Sequence, residues 1–534
     1  MTTVRDVVHT YLLHHGIDTV YGNPGSTELG FLRGLDGGFR YVLGLSEAAA
    51  VAMADGHAQT SRAPALVNLH SAAGLGNAMG SIVNAYANRS PLVVLVGQQD
   101  RALLRHDPFL GSVDPTLLPA PYAKRAWQPT RAADVPEVLD RAFRTAAQPP
   151  YGPVVVSVPN DDWEAAAEPV DLWPAVPGYG PSSTAVDDLA TALQGSRRPA
   201  IVVGSAVDQD NAVRHVVALA DACGAQVFAA PMSSRCSFPE DNPRFAGHLP
   251  ASPGPLAKAL EWHDLVLVLG APAFTYHFDS APGPTLPPVI VVSDDEQILA
   301  RTRGTGIRSM PTPVLVALTA LITPTLRPAP TLRTRPAPPA PPSADGPLTA
   351  AHVLAALHRL LPPDAIVVEE IPGHRDDLHN QLPITATDTG LLTTGGGVLG
   401  YALPAAIGAS LAAPHRPVVV LVGDGSLMYT VQALWSAVHQ HTPITVIVLD
   451  NGGYGVLRSI AGAVGATAVP GLDIEGLDPV LLARGMGCPA QRVDIAAELS
   501  GALAAALART DGPCLVHIPV DRDEVTPTGR STRD

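Results

Sequence analysis

Short runs of consecutive apolar residues recur along this chain, and they constrain its fold more than any other feature of the sequence. Each run has the length of one β-strand, and helical patterns lie between several of them. A strand that is apolar on both faces is buried on both faces, as in a parallel sheet covered by helices. We therefore predict an α/β fold of doubly wound parallel sheets. The runs are Ala65–Leu69, Leu92–Val96, Val154–Val158, Ile201–Val203, Leu265–Leu269, Val289–Val292, Val418–Val422 and Ile444–Leu449.

A proline-rich segment interrupts this pattern. Residues 324–347 hold nine prolines in 24 positions, a composition that excludes a helix or an inner strand and is typical of an extended linker between domains. A weaker break in composition lies at 164–184. We predict three doubly wound parallel-sheet domains at 1–165, 182–323 and 348–534, with 324–347 as the linker between the last two.

Two stretches of the first and third domains read alike. One begins at Pro64 and the other at Arg416, and each reads as strand, loop of small residues, helix, proline and strand. The similarity predicts that these two domains share a fold. The alternative is that any two βαβ units look alike at this level.

The charge balance excludes several classes of function. The chain has 34 Lys and Arg against 49 Asp and Glu, a net charge of −15, so we expect no nucleic-acid partner and no membrane partner. Lys124 and Lys258 are the two lysines, which leaves few candidates for a pyridoxal phosphate Schiff base. The sequence also lacks the G-x-x-x-x-G-K-[ST] motif of P-loop nucleotidases.

The cysteines and the N-terminus bear on location. The four cysteines form no C-x-x-C pair and no zinc-ligand spacing, which favours a reduced, cytoplasmic setting. The N-terminal stretch has polar residues throughout its length, so we expect no signal peptide. Because no apolar run reaches about 18 residues, we expect no membrane-spanning helix.

Oxygen-bearing side chains follow two neighbouring strands of the third domain. Asp424 lies in Gly423-Asp424-Gly425 directly after one strand, and Asn451 follows the strand Ile444–Leu449. In an open parallel sheet both turns fall at the carboxyl ends of the strands, where ligands bind. A carboxylate and an amide oxygen suit Mg²⁺ or Ca²⁺, and the glycines let backbone N–H groups approach phosphate oxygens. The alternative is a pair of ordinary strand-end turns.

This pattern resembles the thiamin diphosphate signature, G-D-G followed after about 25 residues by N-N, here ending in Asp450-Asn451. The resemblance implies thiamin diphosphate and Mg²⁺ (or Ca²⁺) as cofactors. It implies the metal ligands Asp424, Asn451 and the backbone carbonyl of Gly453. It also implies further cofactor contacts in this domain at Gly423, Gly425, Ser426 and Tyr454.

Glu47 follows Ser46 in the first domain, and by itself this pair indicates a capped helix start. The resemblance implies a sharper role for the carboxylate. In the resembled family a glutamate at this point bonds the aminopyrimidine N1′ and so helps to activate the cofactor. The first domain would then bind the pyrimidine and the third domain the diphosphate and metal.

The resemblance covers nearly the whole chain and is closest to the benzoylformate decarboxylase group of thiamin diphosphate-dependent 2-oxo acid decarboxylases. It is carried by Asn23–Ser26, His70–Gly74 and Phe274–His277, and by stretches at 97–99, 161–163 and 401–408. It implies that Ser26 binds the substrate carboxylate and that His70 and His277 move protons, as suits imidazoles. Taken singly, Ser26 could be a helix cap, His70 a strand-end histidine and His277 a loop residue.

The glycine-rich segment Gly395–Gly400 contains a G-x-G-x-x-G pattern, which alone is weak evidence for a dinucleotide site. The resemblance gives the segment a different use. It implies that the carbonyl of Gly397 meets the aminopyrimidine N4′ and that Leu399 supports the bent cofactor.

The predicted substrate pocket departs from the resembled group. Thr393 and Ile460 stand where that group has phenylalanines, and Val456 replaces an alanine. Phe109 replaces a leucine, and Pro372 begins a pair that replaces a threonine and a serine. Loss of two rings changes how an aryl group would be held. The pocket residues predicted from the resemblance are Pro24, Gly25, Phe109, Leu110, Thr393, Val456 and Ile460.

We predict from these observations a carboxy-lyase that converts a 2-oxo acid to an aldehyde and CO₂, with carboligation as a side activity. The resemblance implies active sites between subunits, hence a dimer and usually a tetramer. The alternatives are an acetolactate synthase-like or other thiamin diphosphate carboligase and a nucleotide-dependent oxidoreductase built on Gly395–Gly400.

Overall fold

The structure is a computed structural model that describes residues 2–170, 178–325, 327, 333–337, 339–340, 347–466, 468–522 and 524. It contains three six-stranded sheets, and the paired strands within each sheet run parallel. The predicted α/β fold of three parallel sheets is therefore confirmed. Each of the eight apolar runs forms a strand or most of one.

The first sheet has the strand order β2-β1-β3-β4-β6-β5. Its strands are β1 (Thr19–Asn23), β2 (Arg40–Leu43), β3 (Ala65–Leu69), β4 (Leu92–Gln98), β5 (Arg125–Trp127) and β6 (Val154–Pro159). The helices of this part are α1 (Val4–His14), α2 (Leu29–Leu32), α3 (Glu47–Ser61), α4 (Ser71–Ala87), α5 (Arg101–Leu104) and α6 (Val135–Ala146), with 3₁₀ turns at Ser26–Glu28, Ala132–Asp134 and Asn160–Glu164.

The central sheet has the order β12-β11-β10-β7-β8-β9, the doubly wound order with its first and fourth strands adjacent at the centre. Its strands are β7 (Pro199–Val203), β8 (Gln226–Ala229), β9 (Phe245–His248), β10 (Leu265–Leu269), β11 (Val289–Ser293) and β12 (Thr305–Arg308). Its helices are α7 (Ser183–Gly195), α8 (Ser205–Gln209), α9 (Val213–Cys223), α10 (Pro253–Leu260), α11 (Glu296–Arg301) and α12 (Pro311–Leu321).

The third sheet has the order β14-β13-β15-β16-β18-β17, which is the order of the first sheet. The predicted shared fold of the first and third domains is confirmed at the level of topology. The strands are β13 (Ile366–Glu370), β14 (Leu391–Thr393), β15 (Val418–Gly423), β16 (Ile444–Asp450), β17 (Ala490–Arg492) and β18 (Cys514–Pro519). The helices are α13 (Ala350–His358), α14 (Arg375–Gln381), α15 (Ala402–Ala412), α16 (Asp424–Leu427), α17 (Ala433–His439), α18 (Gly455–Ala463), α19 (Pro479–Gly485) and α20 (Ala496–Leu507), with a 3₁₀ turn at Pro372–His374.

The inner strands are buried on both faces, as their composition predicts. In the first sheet, Val67 and Val94 enter one hydrophobic core while their chain neighbours Leu66 and Val93 enter another. The core that contains Val67 also receives residues of the third sheet, such as Val420. The first and third domains are therefore packed against each other through a common core.

Helices α3 and α15 make this contact at very short range. A Cβ on Gly56 of α3 would lie 2.0 Å from the carbonyl oxygen of Ala405, and one on Gly408 of α15 would lie 1.8 Å from that of Met53. Side chains at either glycine would push the helices apart. This packing fixes α3, which begins at Glu47, against the third domain.

The described part of the proline-rich segment bonds to its neighbours. Arg327 donates to the backbone carbonyl of Leu193 at 3.2 Å, and Arg335 donates to that of His379 at 2.8 Å. Its other residues, at 326, 328–332, 338 and 341–346, lie outside the described residues, as do 171–177 in the weaker break. In the described parts of the chain, we find no helix long and apolar enough to cross a bilayer.

Candidate active site

Glu47 is the first residue of α3, at the edge where the strands of the first sheet end. Ser46 caps the helix by accepting a hydrogen bond from the N–H of Ala49 at 3.5 Å. The two carboxylate oxygens of Glu47 accept from the side-chain amides of Asn23 at 3.5 Å and Asn77 at 3.3 Å. These long bonds leave the half-buried carboxylate able to bond a ligand.

His70 follows β3 and is held on one side by a carboxylate that the sequence analysis missed. Its Nδ1 lies 3.0 Å from the buried Oε2 of Glu28 and 3.0 Å from the hydroxyl of Thr27. Glu28 Oε2 also accepts from the N–H of Gly25 at 2.8 Å. With Nδ1 engaged, Nε2 is the ring nitrogen left to exchange a proton with a ligand.

Gly25 is required at this point because a Cβ there would lie 2.2 Å from the His70 ring. The next residue, Ser26, begins a 3₁₀ turn that ends at Glu28, and its side chain is exposed, as is that of Pro24. Ser26 and His70 thus belong to one local group, whose buried support is Glu28. The sequence signal was a glutamate two residues after Ser26, which spacing alone does not distinguish from a surface residue.

The predicted metal ligands come together at the ends of β15 and β16. Asp424 begins α16 and is 5% exposed, and Asn451 directly follows β16 and is 9% exposed. The N–H groups of Gly425 and Gly453 donate to the Asp424 carboxylate. Burial and the neighbouring negative charge of Asp450 nevertheless raise the pKa of Asp424 to about 6.

These residues fit a divalent cation. The Oδ1 atom of Asn451 is buried without a hydrogen-bond partner, which is costly unless a ligand satisfies it. The carbonyl of Gly453 accepts from the N–H of Gly455 at 3.0 Å and keeps one lone pair free. A cation would satisfy the unpartnered oxygen and offset the repulsion between Asp424 and Asp450.

Asp450, the departure from the N-N ending, is locked in place by its own partners. Its carboxylate accepts from the N–H of Gly452 at 2.9 Å and faces Nε2 of the buried His517 at 2.7 Å. Although burial opposes it, the bond from His517 lowers the pKa of Asp450. Asp450 is therefore a fixed negative charge beside the metal ligands, and His517 is a second residue that the sequence analysis missed.

The other residues predicted to contact the cofactor in this domain surround Asp424. A Cβ on Gly425 would lie 2.9 Å from the ring of Tyr454, so the glycine lets the ring approach the strand end. The side chain of Ser426 is buried, while Gly423 and Tyr454 are partly exposed. Together they form a wall of small groups and one aromatic ring beside the Asp424 carboxylate.

The glycine-rich segment lies between β14 and α15, and most of its backbone donors are already used. The N–H groups of Gly400, Tyr401 and Ala402 bond the buried carboxylate of Glu370 at 2.6 to 2.8 Å. The side-chain oxygens of Asn88 and Asn84 accept from the N–H groups of glycines 395 and 396 at 2.9 and 3.0 Å. A pyrophosphate could use these donors only by displacing their present acceptors, which argues against a dinucleotide site in this segment.

The tip of the same segment remains open. Gly397 has φ of +71°, and a Cβ there would meet nothing within 4 Å. Val398 packs on Gly80 of α4, and Leu399 is partly buried. The carbonyl of Gly397 and the side chain of Leu399 are thus presented by a loop that Glu370, Asn84 and Asn88 hold.

The predicted pocket residues are dispersed between two domains. Phe109 is 86% exposed, and Leu110 next to it has φ of +63°. Thr393 is buried at the end of β14 with its hydroxyl bonded by Arg375 at 3.0 Å. Val456 and Ile460 are partly buried one turn apart on α18. Pro372 opens the 3₁₀ turn after β13.

Among the described residues of one chain, no hydrogen bond joins Glu47 or His70 to Asp424 or Asn451. His277 belongs to neither group. Its side chain is exposed on the central domain, and its N–H donates to the carbonyl of Ala251 at 2.8 Å. The predicted site residues therefore fall into three groups in the described chain: Glu47 and His70 on the first domain, Asp424 and Asn451 on the third, and His277 on the central domain.

Three parallel-sheet domains, with the Glu47 carboxylate on the first and the oxygen-bearing side chains of Asp424 and Asn451 on the third, are the arrangement expected of thiamin diphosphate-dependent enzymes. Comparison with known families agrees. Residues 2–117 match the thiamine pyrophosphate enzyme N-terminal binding domain, residues 186–318 its central domain, and residues 374–518 its C-terminal binding domain.

Comparison with individual proteins shows which members of this class the chain resembles. The chain is 40% identical to benzoylformate decarboxylase of Pseudomonas aeruginosa over 98% of this chain and 100% of that one. It is 28% identical to the acetolactate synthase large subunit of Corynebacterium glutamicum, over 98% of this chain and 87% of that one. The lower identity makes acetolactate synthase the weaker alternative.

Solved structures give the same result. A Rhodococcus jostii thiamine diphosphate-dependent 4-hydroxybenzoylformate decarboxylase superposes with a TM-score of 0.93 at 40% identity, covering 98% of this chain and all of that one. Benzoylformate decarboxylase of Polynucleobacter necessarius gives 0.94 at 36% identity, covering 99% and 100%. The chain belongs to the thiamin diphosphate-dependent 2-oxo acid decarboxylase family and is a carboxy-lyase.

Proposed function

We propose that the enzyme decarboxylates an aryl 2-oxo acid of the benzoylformate type to the aldehyde and CO₂, with carboligation as a side activity. The observation that carries this substrate class is the full-length similarity to proteins named for benzoylformate and 4-hydroxybenzoylformate. The local group of residues in the first domain also supports the proposal. Exposed Ser26 could bind a substrate carboxylate, and His70, paired with buried Glu28, could transfer a proton.

The third domain would hold the cofactor through a metal. Asp424, the Oδ1 atom of Asn451 and the carbonyl of Gly453 would bind Mg²⁺, or Ca²⁺, and through it the diphosphate. The unpartnered Asn451 oxygen is the feature that supports this assignment. Gly423, Gly425, Ser426 and Tyr454, which surround Asp424, would line the diphosphate. When bound, thiamin diphosphate supplies the electron sink for the bond that breaks as CO₂ leaves.

The first domain would supply proton control and substrate orientation. Glu47 would hold a proton at the aminopyrimidine, and the Gly397 carbonyl and Leu399 would orient that ring. The Ser26 hydroxyl would bind the substrate carboxylate, and His70 would move a proton at Nε2 while Glu28 holds Nδ1. His277 would act as a second proton-transfer group.

We propose a homo-oligomer in which these groups meet between subunits, at least a dimer and in its full form a tetramer. The apolar loop of the first domain supports this arrangement. Phe109 is 86% and Val113 100% exposed there, and such side chains are normally covered. We also propose a cytoplasmic location, supported by four free cysteines.

The test is CO₂ release from benzoylformate, 4-hydroxybenzoylformate and aliphatic 2-oxo acids, with Mg²⁺, with and without thiamin diphosphate. We expect cofactor-dependent release with the aryl acids preferred. Ile460→Ala should lower kcat/KM for aryl acids by about tenfold and leave short aliphatic acids less affected, since it removes apolar contact from the pocket. Equal use of all acids would contradict the aryl proposal, and cofactor-independent release would contradict the mechanism.

A further inference from the structure

A second group of metal-ligand residues lies outside the active site, at the junction of the central and third domains. Glu240 lies between β8 and β9, His248 is the last residue of β9, and His379 is on α14. The Oε1 atom of Glu240 is 2.7 Å from Nδ1 of His379 and 3.4 Å from Nε2 of His248. The three atoms lie within 4.8 Å of one another.

The inner two of these atoms form a buried pair. Glu240 and His379 have side chains that are 1% and 9% exposed, and Glu240 Oε1 and His379 Nδ1 lie 2.7 Å apart as an ion pair that is not aligned as a regular hydrogen bond. The other oxygen of Glu240 accepts from the N–H of Ile384 at 3.0 Å, which fixes the carboxylate. Two imidazole nitrogens that converge on one fixed, buried carboxylate oxygen have the arrangement that a shared ion requires.

We propose that Glu240, His248 and His379 bind a divalent transition-metal ion, represented by Zn²⁺, and that the ion links the central domain to the third. Two imidazoles and one carboxylate form a ligand set typical of zinc and unlike the all-oxygen sets of Mg²⁺ and Ca²⁺. Zinc bonds of about 2.1 Å at tetrahedral angles place ligand atoms about 3.4 Å apart. The 3.4 Å pair meets that spacing, and the 2.7 Å pair would open by about 0.7 Å.

Two arginines close to the cluster are held by other partners. Arg375 is paired with Glu369 at 2.7 Å, and Arg333 donates to the side chain of Asn380 at 2.6 Å. Asp376, on the same helix as His379, adds a carboxylate nearby. His248 is 34% exposed, so one side of the cluster is open to an entering ion and to water as a further ligand.

The test uses the full, tag-free chain saturated with thiamin diphosphate and Mg²⁺, so that the active-site metal position is filled. Zn²⁺ is titrated against a chromophoric zinc indicator, and Co²⁺ is added separately to record its visible absorption bands. We expect one Zn²⁺ per chain at micromolar or lower concentration and a rise of several degrees in the thermal unfolding midpoint, because the ion ties two domains together.

The main variant is His248→Ala, which removes the most exposed ligand and is the least disruptive to the buried pair. It should weaken zinc binding by about thirtyfold or more and abolish the rise in the unfolding midpoint. Glu240→Gln, which keeps the size of the side chain, should do the same. His215→Ala, on α9 of the central domain, is the matched control and should behave as the parent.

Three outcomes overturn the proposal. The first is equal zinc binding by the parent chain and by His248→Ala and Glu240→Gln. The second is no binding by the parent at 100 μM Zn²⁺, roughly a hundred times the expected dissociation constant. The third is binding without a change in unfolding midpoint, which would deny the link between domains. Loss of decarboxylase activity is not a readout, so the outcome does not depend on the proposed substrate.

Discussion

His70 and Asp424 occupy the same place in two sheets of the same strand order. Each follows the third strand of its sheet, β3 in the first domain and β15 in the third. His70 is an imidazole with Glu28 against its Nδ1, whereas Asp424 is a carboxylate held by backbone N–H groups. One topology therefore presents an imidazole after one strand and a carboxylate after the other, and our proposal gives the first a role in proton transfer and the second a role in metal binding.

The next strand of each sheet extends the comparison. Gln98 ends β4, and Asn451 follows β16 at the corresponding register. The Gln98 amide is fully used, since it donates to the carbonyl of Ser112 at 2.9 Å and accepts from its N–H at 2.9 Å. The Asn451 oxygen has no partner. The amide of Gln98 therefore holds the chain at Ser112, whereas the oxygen of Asn451 is free to bind a ligand. Only the hydrogen bonds distinguish these two equivalent positions.

The largest expected effect tests whether proton control belongs to the first domain alone. Glu47→Gln should lower kcat by about a thousandfold, because it removes a carboxylate from general acid–base work, while thiamin diphosphate and Mg²⁺ still bind. Decarboxylation at saturating cofactor and titration of cofactor binding measure the two parts. Glu164→Gln, a surface glutamate paired with Arg33, is the matched control. Near-normal turnover of Glu47→Gln would contradict the assignment of Glu47 to proton transfer.

The next effect concerns Glu370, which ends β13 as Asn23 ends β1. Burial raises the pKa of Glu370 from 4.5 to about 7, in spite of three backbone N–H donors. A carboxyl whose pKa is raised on folding stabilises the protein fully below its unfolded pKa, and that contribution is lost as the pH rises through the folded value.

The parent chain without cofactor should therefore lose about 3 kcal/mol of stability at this residue as the pH rises from 4.5 to above 7. Glu370→Gln cannot titrate and should lack this fall. Denaturant unfolding at several pH values measures the difference between the two curves. If the free energies of unfolding of the parent and of Glu370→Gln change with pH in parallel, Glu370 keeps its ordinary pKa. The buried carboxyl would then differ from Asn23 in shape but not in its effect on stability.

Asp424→Asn tests the metal half of the comparison. It keeps the shape of the side chain but removes the charge that sits beside Asp450, so we expect the Mg²⁺ concentration for half-maximal activity to rise by about fiftyfold. At saturating Mg²⁺ most of kcat should return, in contrast to Glu47→Gln. A loss of kcat with no change in the Mg²⁺ requirement would place Asp424 among the proton-transfer groups instead.

The sequence predicts the inner part of the fold better than its edges. Runs such as Val418–Val422 are apolar on both faces, and the sequence predicts them as strands. In contrast, β5 (Arg125–Trp127) and β17 (Ala490–Arg492) lie at sheet edges and include arginine, and the sequence does not predict them. An edge strand has one neighbour and exposed side chains. Its composition therefore resembles that of a loop.

The candidate site residues also fall into two kinds, those that the sequence can predict and those that it cannot. The positions of Asp424 and Asn451 at strand ends could be predicted because each directly follows a recognisable strand, whereas their role as metal ligands stays a prediction. Glu28 could not, since its burial depends on His70, 42 residues further along the chain. Nor could Glu240, which meets His379 only when two domains are packed together. Roles that depend on a distant partner require the folded structure.

Glu28→Gln is the smallest of the expected effects and the sharpest test of how the first domain uses its imidazole. The amide would keep the volume and one acceptor for the N–H of Gly25, but it would no longer place a negative charge against Nδ1 of His70. The carboxylate also fixes the orientation of the imidazole by holding its Nδ1 at 3.0 Å. We therefore expect kcat to fall by about tenfold, with little change in the Mg²⁺ requirement, because His70 would be held less firmly for proton transfer. Unchanged kcat in Glu28→Gln would mean that Glu28 only packs the turn after β1, and His70 would then act without its support.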